Sequence, residues 1–345
     1  MSRAPGPPWS LRLLMAVALL ALLALTASAC GTKTDTLTAG STKPLTLMLD
    51  FFPNADHAAV YSAIAHGDFR LAGLDVHPQA PPDPSSPLKE LAAGRVDMAI
   101  SYEPELLLAR DRGLRLVSIA ALVQRPLTSL IALGAAKVTR VGDLAGKRVG
   151  TAGIPYQSAE LGTVLHGAGV DPARVQETNV GFDLVPAMLS GKVAATLGGF
   201  WNYEGVQLEL AKRKPVVIPV DRAGVPTYDE LVVVVREDEA RMRGQDLRGF
   251  LQALTRGERE VRADPAGAAR LVVRANPQLD GRLQFESVAR TLPAANPGEG
   301  RPFGYQDPQA WARFGRWMLS HGLLHSDPAN GPEPFTNEYL PGQGV

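Results

Sequence analysis

Short apolar runs recur along the chain, each set off by polar or turn-forming residues. In the first third, Leu45–Leu49, Leu74–Val76, Asp97–Ile100 and Leu116–Ala121 read as strands. The segments between them, His57–His66, Leu88–Ala93 and Glu103–Arg112, carry the helical spacing. Runs this short with brief connections predict βαβ units on a mostly parallel sheet. The proline-rich stretch 78–87 predicts a surface loop.

A second block repeats the grammar. Ser129–Leu133 reads as a strand leading out of the first block. Strands Lys147–Thr151, Val175–Val180, Ala194–Leu197 and Val216–Pro219 then alternate with helices Ala159–Gly167, Leu184–Leu189 and Glu204–Arg213. Leu231–Val235 is apolar throughout and suits a buried strand that returns. From Gln245 onward the pattern is helical: Gln245–Ala263, Pro265–Ala275, Leu283–Leu292 and Asp307–His321. The pattern therefore predicts an α/β protein of two lobes, 45–133 with 234–345 and 134–233. Two extended crossovers, near 129–137 and 226–236, would form a hinge beside a cleft.

Ligands of open α/β sheets sit at the carboxyl ends of strands, so residues just after strands carry most weight. Four segments stand out. Asp50, Phe51, Phe52, Asn54 and His57 follow the opening strand. Capping of the next helix accounts for Asn54 or Asp56. It does not account for a carboxylate beside two aromatics, which suits a flat nitrogen heterocycle that donates hydrogen bonds. Tyr102 ends the third strand, where Ser101 and Glu103 serve a helix start. Gly153 to Ser158, with Tyr156, opens another helix; it has one glycine, and Pro155 lacks a donor, so it makes a poor phosphate cradle. Finally, Gly198 and Gly199 precede Phe200, Trp201, Asn202, Tyr203 and Glu204. Three aromatics beside a glycine pair exceed what a core needs. Scattered histidines lack metal-ligand spacing, so no metal or cofactor is expected. Trp311, Phe314 and Trp317 read as core on the last helix.

The first 29 residues change the picture of where this body sits. They hold Arg3 and Arg12, no acid, an apolar run from Leu13 to Leu25, and small residues before Cys30. That order is an export signal, and the run is short for a membrane span. Cys30, the sole cysteine, stands where a bacterial lipobox places its acylated residue, with Ala27 in place of the usual leucine. Residues 30–44, rich in Thr, Ser and Gly, predict a tether. The expectation is a monomer held at the extracytoplasmic face of the cell membrane by lipid. Its body holds 33 basic and 35 acidic residues once the leader's two arginines are removed from the 35 and 35 of the whole chain. Such balance argues against nucleic acid as a partner.

The stretch Asp50 to His57, the stretch Gly198 to Glu204, Gly67-Asp68-Phe69 with Ala72 to Val76, Asp143 to Gly150 and Phe335 to Leu340 together resemble the NMT1/THI5-like family. The similarity runs over residues 45–340. It implies a type II periplasmic-binding-protein fold with a two-crossover hinge. The matching branch includes pyrimidine-precursor receptors of thiamine salvage and thiamine-pyrimidine synthases. By resemblance, Asp50, Asn54, Glu204 and the aromatics of both motifs contact an aminopyrimidine-like ring. Phe51 stands where such receptors commonly carry Trp. The expected function is a receptor that passes its ligand to an ABC permease and its ATPase. The alternatives are receptors for a sulfonate, nitrate or a riboflavin-like solute. A synthase-like enzyme using His57 would need iron and a cysteine-rich segment, and Cys30 is the only cysteine.

Overall fold

The computed structural model describes residues 42–342. In chain order the first lobe contains β1 (Lys43–Met48), α1 (Ala58–Ala65), α2 (Asp68–Leu71), β2 (Leu74–Gln79), α3 (Pro87–Ala92), β3 (Met98–Ser101), α4 (Glu103–Asp111) and β4 (Leu116–Val123). The second contains β5 (Thr128–Leu133), β6 (Arg148–Thr151), α5 (Pro155–Gly167), β7 (Gln176–Asn179), α6 (Leu184–Leu189), β8 (Ala195–Phe200), α7 (Glu204–Leu210) and β9 (Pro215–Pro219). The chain then returns as β10 (Leu231–Arg236). It ends in α8 (Glu237–Met242), α9 (Gly244–Ala263), α10 (Pro265–Ala275), α11 (Gly281–Thr291) and α12 (Pro308–Ser320).

The strands form two five-stranded sheets, ordered β2-β1-β3-β10-β4 and β7-β6-β8-β5-β9. The fold is therefore α/β with one sheet per lobe, as the sequence pattern predicts. Three details differ from expectation. β5 lies inside the second sheet, between β8 and β9, so the first crossing falls before Thr128 and not after Leu133. The return crossing likewise ends before Leu231, because all of β10 lies in the first sheet. Nor are the sheets mostly parallel. β1 pairs parallel with β2 and β3, and β6 with β7 and β8, whereas β10 and β5 run antiparallel to both neighbours. The reason is topological. A strand delivered from the other lobe has no crossover helix in its own sheet to dictate direction. Val232 to Val235 are at most 1% exposed, which explains the unbroken apolar run.

Glu230 ties the crossings together. Its Oε2 accepts the N–H groups of Leu127 (2.6 Å) and Thr128 (2.8 Å), and its Oε1 accepts the Thr128 hydroxyl (3.0 Å). Beside it, the Asp229 carboxylate accepts Trp311 Nε1–H at 2.8 Å, and the Asp229 N–H donates to Glu103 at 2.7 Å. Trp311 is core, as expected, and also braces this hinge. Helices α9, α10 and α11 cover α1 through Val261, Ala268, Ala269, Val272 and Val288, packed on Ala55, Ala58 and Tyr61. They fix from behind the segment that follows β1. No helix among the described residues is long and apolar enough to cross a membrane. Cys30 and the expected leader lie outside the described residues.

Candidate functional site

The loop after β1 is a set of interlocking caps. Asn54 Oδ1 accepts the Asp56 N–H at 2.7 Å, and the His57 imidazole accepts the Asn54 N–H through Nδ1 at 3.2 Å. This reciprocal box closes the turn Ala55–His57. Because Nδ1 accepts, the ring proton resides on Nε2, which reaches Asp50 Oδ1 at 2.8 Å. From β3's end, the Tyr102 hydroxyl donates to Asp50 Oδ2 at 3.0 Å. Asp50, only 2% exposed, is thus held by a donor at each oxygen.

In the second lobe the glycine pair bends the end of β8. Gly198 has φ +109°, and a Cβ there would lie 2.4 Å from Gln157 Nε2, so only glycine leaves room for that amide. Gln157 Oε1 in turn accepts the Ala152 N–H at 2.9 Å. Glu204 opens α7 and accepts the Phe200 N–H at 2.7 Å through Oε2. Part of Glu204 still meets solvent, yet the protein packed around its carboxyl lifts its pKa to about 7, against the pull of the Phe200 N–H. Burial also pushes the Tyr102 and Tyr156 hydroxyls well above their ordinary range, so both remain hydrogen-bond donors.

These residues surround a cleft that opens to solvent and to which both lobes contribute. Phe51 meets Phe182 edge-on at 5.0 Å and Tyr203 at 6.5 Å, and Tyr102 meets Tyr156 and Phe200 at 6.4 Å. Each pair spans the lobes, so the arrangement is a closed one. Among the described residues, the only ionisable side chains lining the cleft besides tyrosines are Asp50 and Glu204; none is Lys, Arg or His. The cleft can stack a flat ring and accept hydrogen bonds from it. It presents no cation to an anionic group.

Of the residues singled out from the sequence, Asp50, Phe51, Asn54, Tyr102, Tyr156, Phe200 and Glu204 line this cleft. Four do not. His57 is fully buried behind Asp50, with both ring nitrogens engaged. Phe52 is 48% exposed and packs outward on Phe51 and Phe182. Trp201 turns towards the hinge, donating through Nε1 to the Pro126 carbonyl at 3.1 Å. Asn202 bonds to Asp56 and Thr291 at the seam between the lobes. Tyr203, one of the aromatics expected from the second motif, also lines the cleft, and the structure adds Phe182, Gln157 and Thr128. Phe182 stands three residues beyond the end of β7, so the same rule of residues after strands points to it. Gln157 and Tyr203 stand inside two of the segments already chosen.

A family model described as NMT1/THI5 like matches residues 54–268. The chain belongs to this family. Among its relatives is a formylaminopyrimidine-binding protein of Halalkalibacterium halodurans, 34% identical over 81% of this chain and 85% of that protein. A 4-amino-5-hydroxymethyl-2-methylpyrimidine phosphate synthase of Legionella pneumophila is 26% identical over 86% of this chain and 92% of that one. Among solved structures, the alkanesulfonate-binding protein SsuA of Xanthomonas axonopodis pv. citri superposes with a TM-score of 0.64. It is 16% identical, covering 82% of this chain and 95% of that chain, a likeness of fold. The NMT1/THI5-like chain thus has the periplasmic-binding-protein fold, and its kinship and cleft make it a solute-binding protein.

Proposed function

We propose that this protein is the extracytoplasmic receptor of an ABC importer and captures an uncharged or cationic aminopyrimidine of the thiamine-precursor type. The observation that carries the reading is the cleft itself: two carboxylates among aromatic rings, with no cation. A ring amine can donate to Asp50 or Glu204 while its faces lie against Phe51, Phe182 and Phe200. A sulfonate, nitrate or phosphate would meet two carboxylates, and like charges brought together in a poorly solvated site repel strongly. The named specificity of the Halalkalibacterium relative supports the same ligand class. Against the synthase reading stands His57, whose buried and fully engaged ring leaves no nitrogen for a reacting group. Acylation of Cys30, with residues 30–44 as the tether, would hold the monomeric receptor beside its permease.

The test is a thermal-shift panel on the purified body, residues 31–345. It would include 4-amino-5-hydroxymethyl-2-methylpyrimidine, its phosphate, thiamine, riboflavin, an alkanesulfonate and nitrate. Stabilisation by about 2.7 kcal/mol is expected at one hundred times the dissociation constant of a true ligand. The unphosphorylated pyrimidine should shift the midpoint and its phosphate should not. A shift with the sulfonate alone would overturn the proposal.

A further inference from the structure

The seam between the lobes holds a polar knot that the binding cleft does not use. Asp56 lies on the turn behind the cleft, and Asn202 lies in the opposite lobe just before α7. Asn202 Nδ2 donates to Asp56 Oδ1 at 2.6 Å and to Thr291 Oγ1 at 2.7 Å; the Thr291 hydroxyl donates to Asp56 Oδ1 at 2.8 Å. All three side chains are buried. Asp56 Oδ2 and Asn202 Oδ1 are left without a partner. Both are acceptors, and leaving a buried acceptor unpaired costs roughly 1–3 kcal/mol. A single hydrogen on Oδ2, given to Asn202 Oδ1, would satisfy both at once. With the Nδ2–Oδ1 bond already present it would complete the two-bond ring that a carboxylic acid forms with a primary amide, each group donating once and accepting once.

We propose that Asp56 is protonated in the closed protein and pairs with Asn202 as an acid–amide latch between the lobes, so that closing takes up a proton. The surroundings favour the neutral acid. From its own loop Asp56 meets Asp50 and His57, whose ring nitrogens already serve Asn54 and Asp50. From the second lobe come Glu204 and Tyr203. Helix α9 brings Glu258, paired with Arg262 at 2.6 Å. Helix α10 brings only Ala268, Ala269 and Val272, and the buried positions of α11 here are the neutral Gln284, Ser287 and Thr291. Among the described residues no Lys or Arg bonds to Asp56, and the ring of His57, which favours the ionised form, is engaged with Asp50. Burial accordingly lifts its carboxyl to about 6, even though the Thr291 and Asn202 bonds oppose the rise. Two further links cross the same seam without needing this proton: Gln284 to the Tyr203 hydroxyl at 3.2 Å, and the exposed pair Arg290–Glu209 at 2.8 Å.

Asp56→Asn is the decisive variant. Its amide cannot ionise, and it presents an N–H donor where the acid would present its proton. The readout is the radius of gyration of the ligand-free body by small-angle scattering at pH 5 and pH 8, which does not depend on what the cleft binds. Wild type should be compact at pH 5 and expand at pH 8. Asp56→Asn should stay compact at both, and Asn202→Ala should be expanded at both, with circular dichroism confirming that each is folded. If Asn202→Ala does not fold, wild type against Asp56→Asn decides. Expansion of Asp56→Asn at pH 8 to the wild-type extent would assign the response to other carboxyls and overturn the latch. So would a wild-type radius that does not change with pH.

Discussion

Asp50 and Glu204 are both acceptors at the rim of one cleft, yet they are prepared differently. Asp50 already receives Tyr102 and His57, so its position is set before any ligand arrives. Glu204 spends one oxygen on the Phe200 N–H, and among the described residues no side chain donates a hydrogen bond to its carboxyl. Glu204→Gln should therefore cost roughly 1.5–3 kcal/mol of affinity, the value of a hydrogen bond to a charged group. Calorimetric titration with the aminopyrimidine reads this as a ten- to hundredfold rise in dissociation constant, at about 1.4 kcal/mol per tenfold. Trp201→Phe, three positions before Glu204, should behave oppositely. It loses the hydrogen bond to Pro126 and about 1 kcal/mol of stability, with unchanged affinity. The two segments that hold these residues were legible in the sequence because polar and aromatic side chains crowd strand ends. Which of the side chains point inward was not. That depends on the Gly198 bend and on the cap that seats His57 behind Asp50, and neither follows from spacing.

At the level of elements, nearly every helix and strand stands within a few residues of its apolar run. Apolarity marks burial, and burial marks the element. Sheet membership of β5 was not legible, since six apolar-leaning residues suit either sheet and only the free position between β8 and β9 decides. Helix packing was equally hidden. Gly257, in the middle of α9, faces α1 so closely that a Cβ would lie 2.2 Å from the Ala59 carbonyl and 2.9 Å from the Ala63 nitrogen. The obstacle is backbone, which cannot rotate aside. Gly257→Ala should thus force α9 and α1 apart and destabilise the protein by about 1–3 kcal/mol, the usual cost of overpacking. Since α1 continues the turn that carries Asn54 and Asp50's partner His57, ligand affinity should fall as well. Urea melts and titrations of the same variant check both, and a variant with wild-type stability would mean the two helices are less rigidly apposed than the structure has them.

Across the whole molecule the charge count conceals an asymmetry. Acids and bases are equal in number, but among the described residues nine carboxyls are buried and no Lys or Arg is. Long basic side chains keep their heads in water, whereas a short carboxyl can be enclosed where backbone N–H groups face it, as at Glu230. Burial lifts Glu105, Glu204 and Glu230 to about 7, and Glu103, Glu160 and Asp229 are raised as well. A carboxyl raised on folding binds its proton more tightly in the folded state. Its contribution is complete below the unfolded value and is lost as pH climbs through the folded one. Partly exposed acids such as Asp97 and Asp246 are lowered instead, despite some burial, by hydrogen bonds and cations, and they act in the opposite sense at lower pH. The thermal midpoint should therefore peak at about pH 5 and decline towards pH 8. Glu230→Gln isolates one contributor at the hinge. A glutamine can accept the Leu127 and Thr128 N–H groups and donate to the Thr128 oxygen, whose hydroxyl now donates to Oε1, as a protonated acid would. The variant should match wild type at pH 5 and exceed it at pH 8, with a shallower slope between. A slope equal to that of wild type would remove Glu230 from the set of titrating groups and leave the decline to the carboxyls of the cleft and the seam.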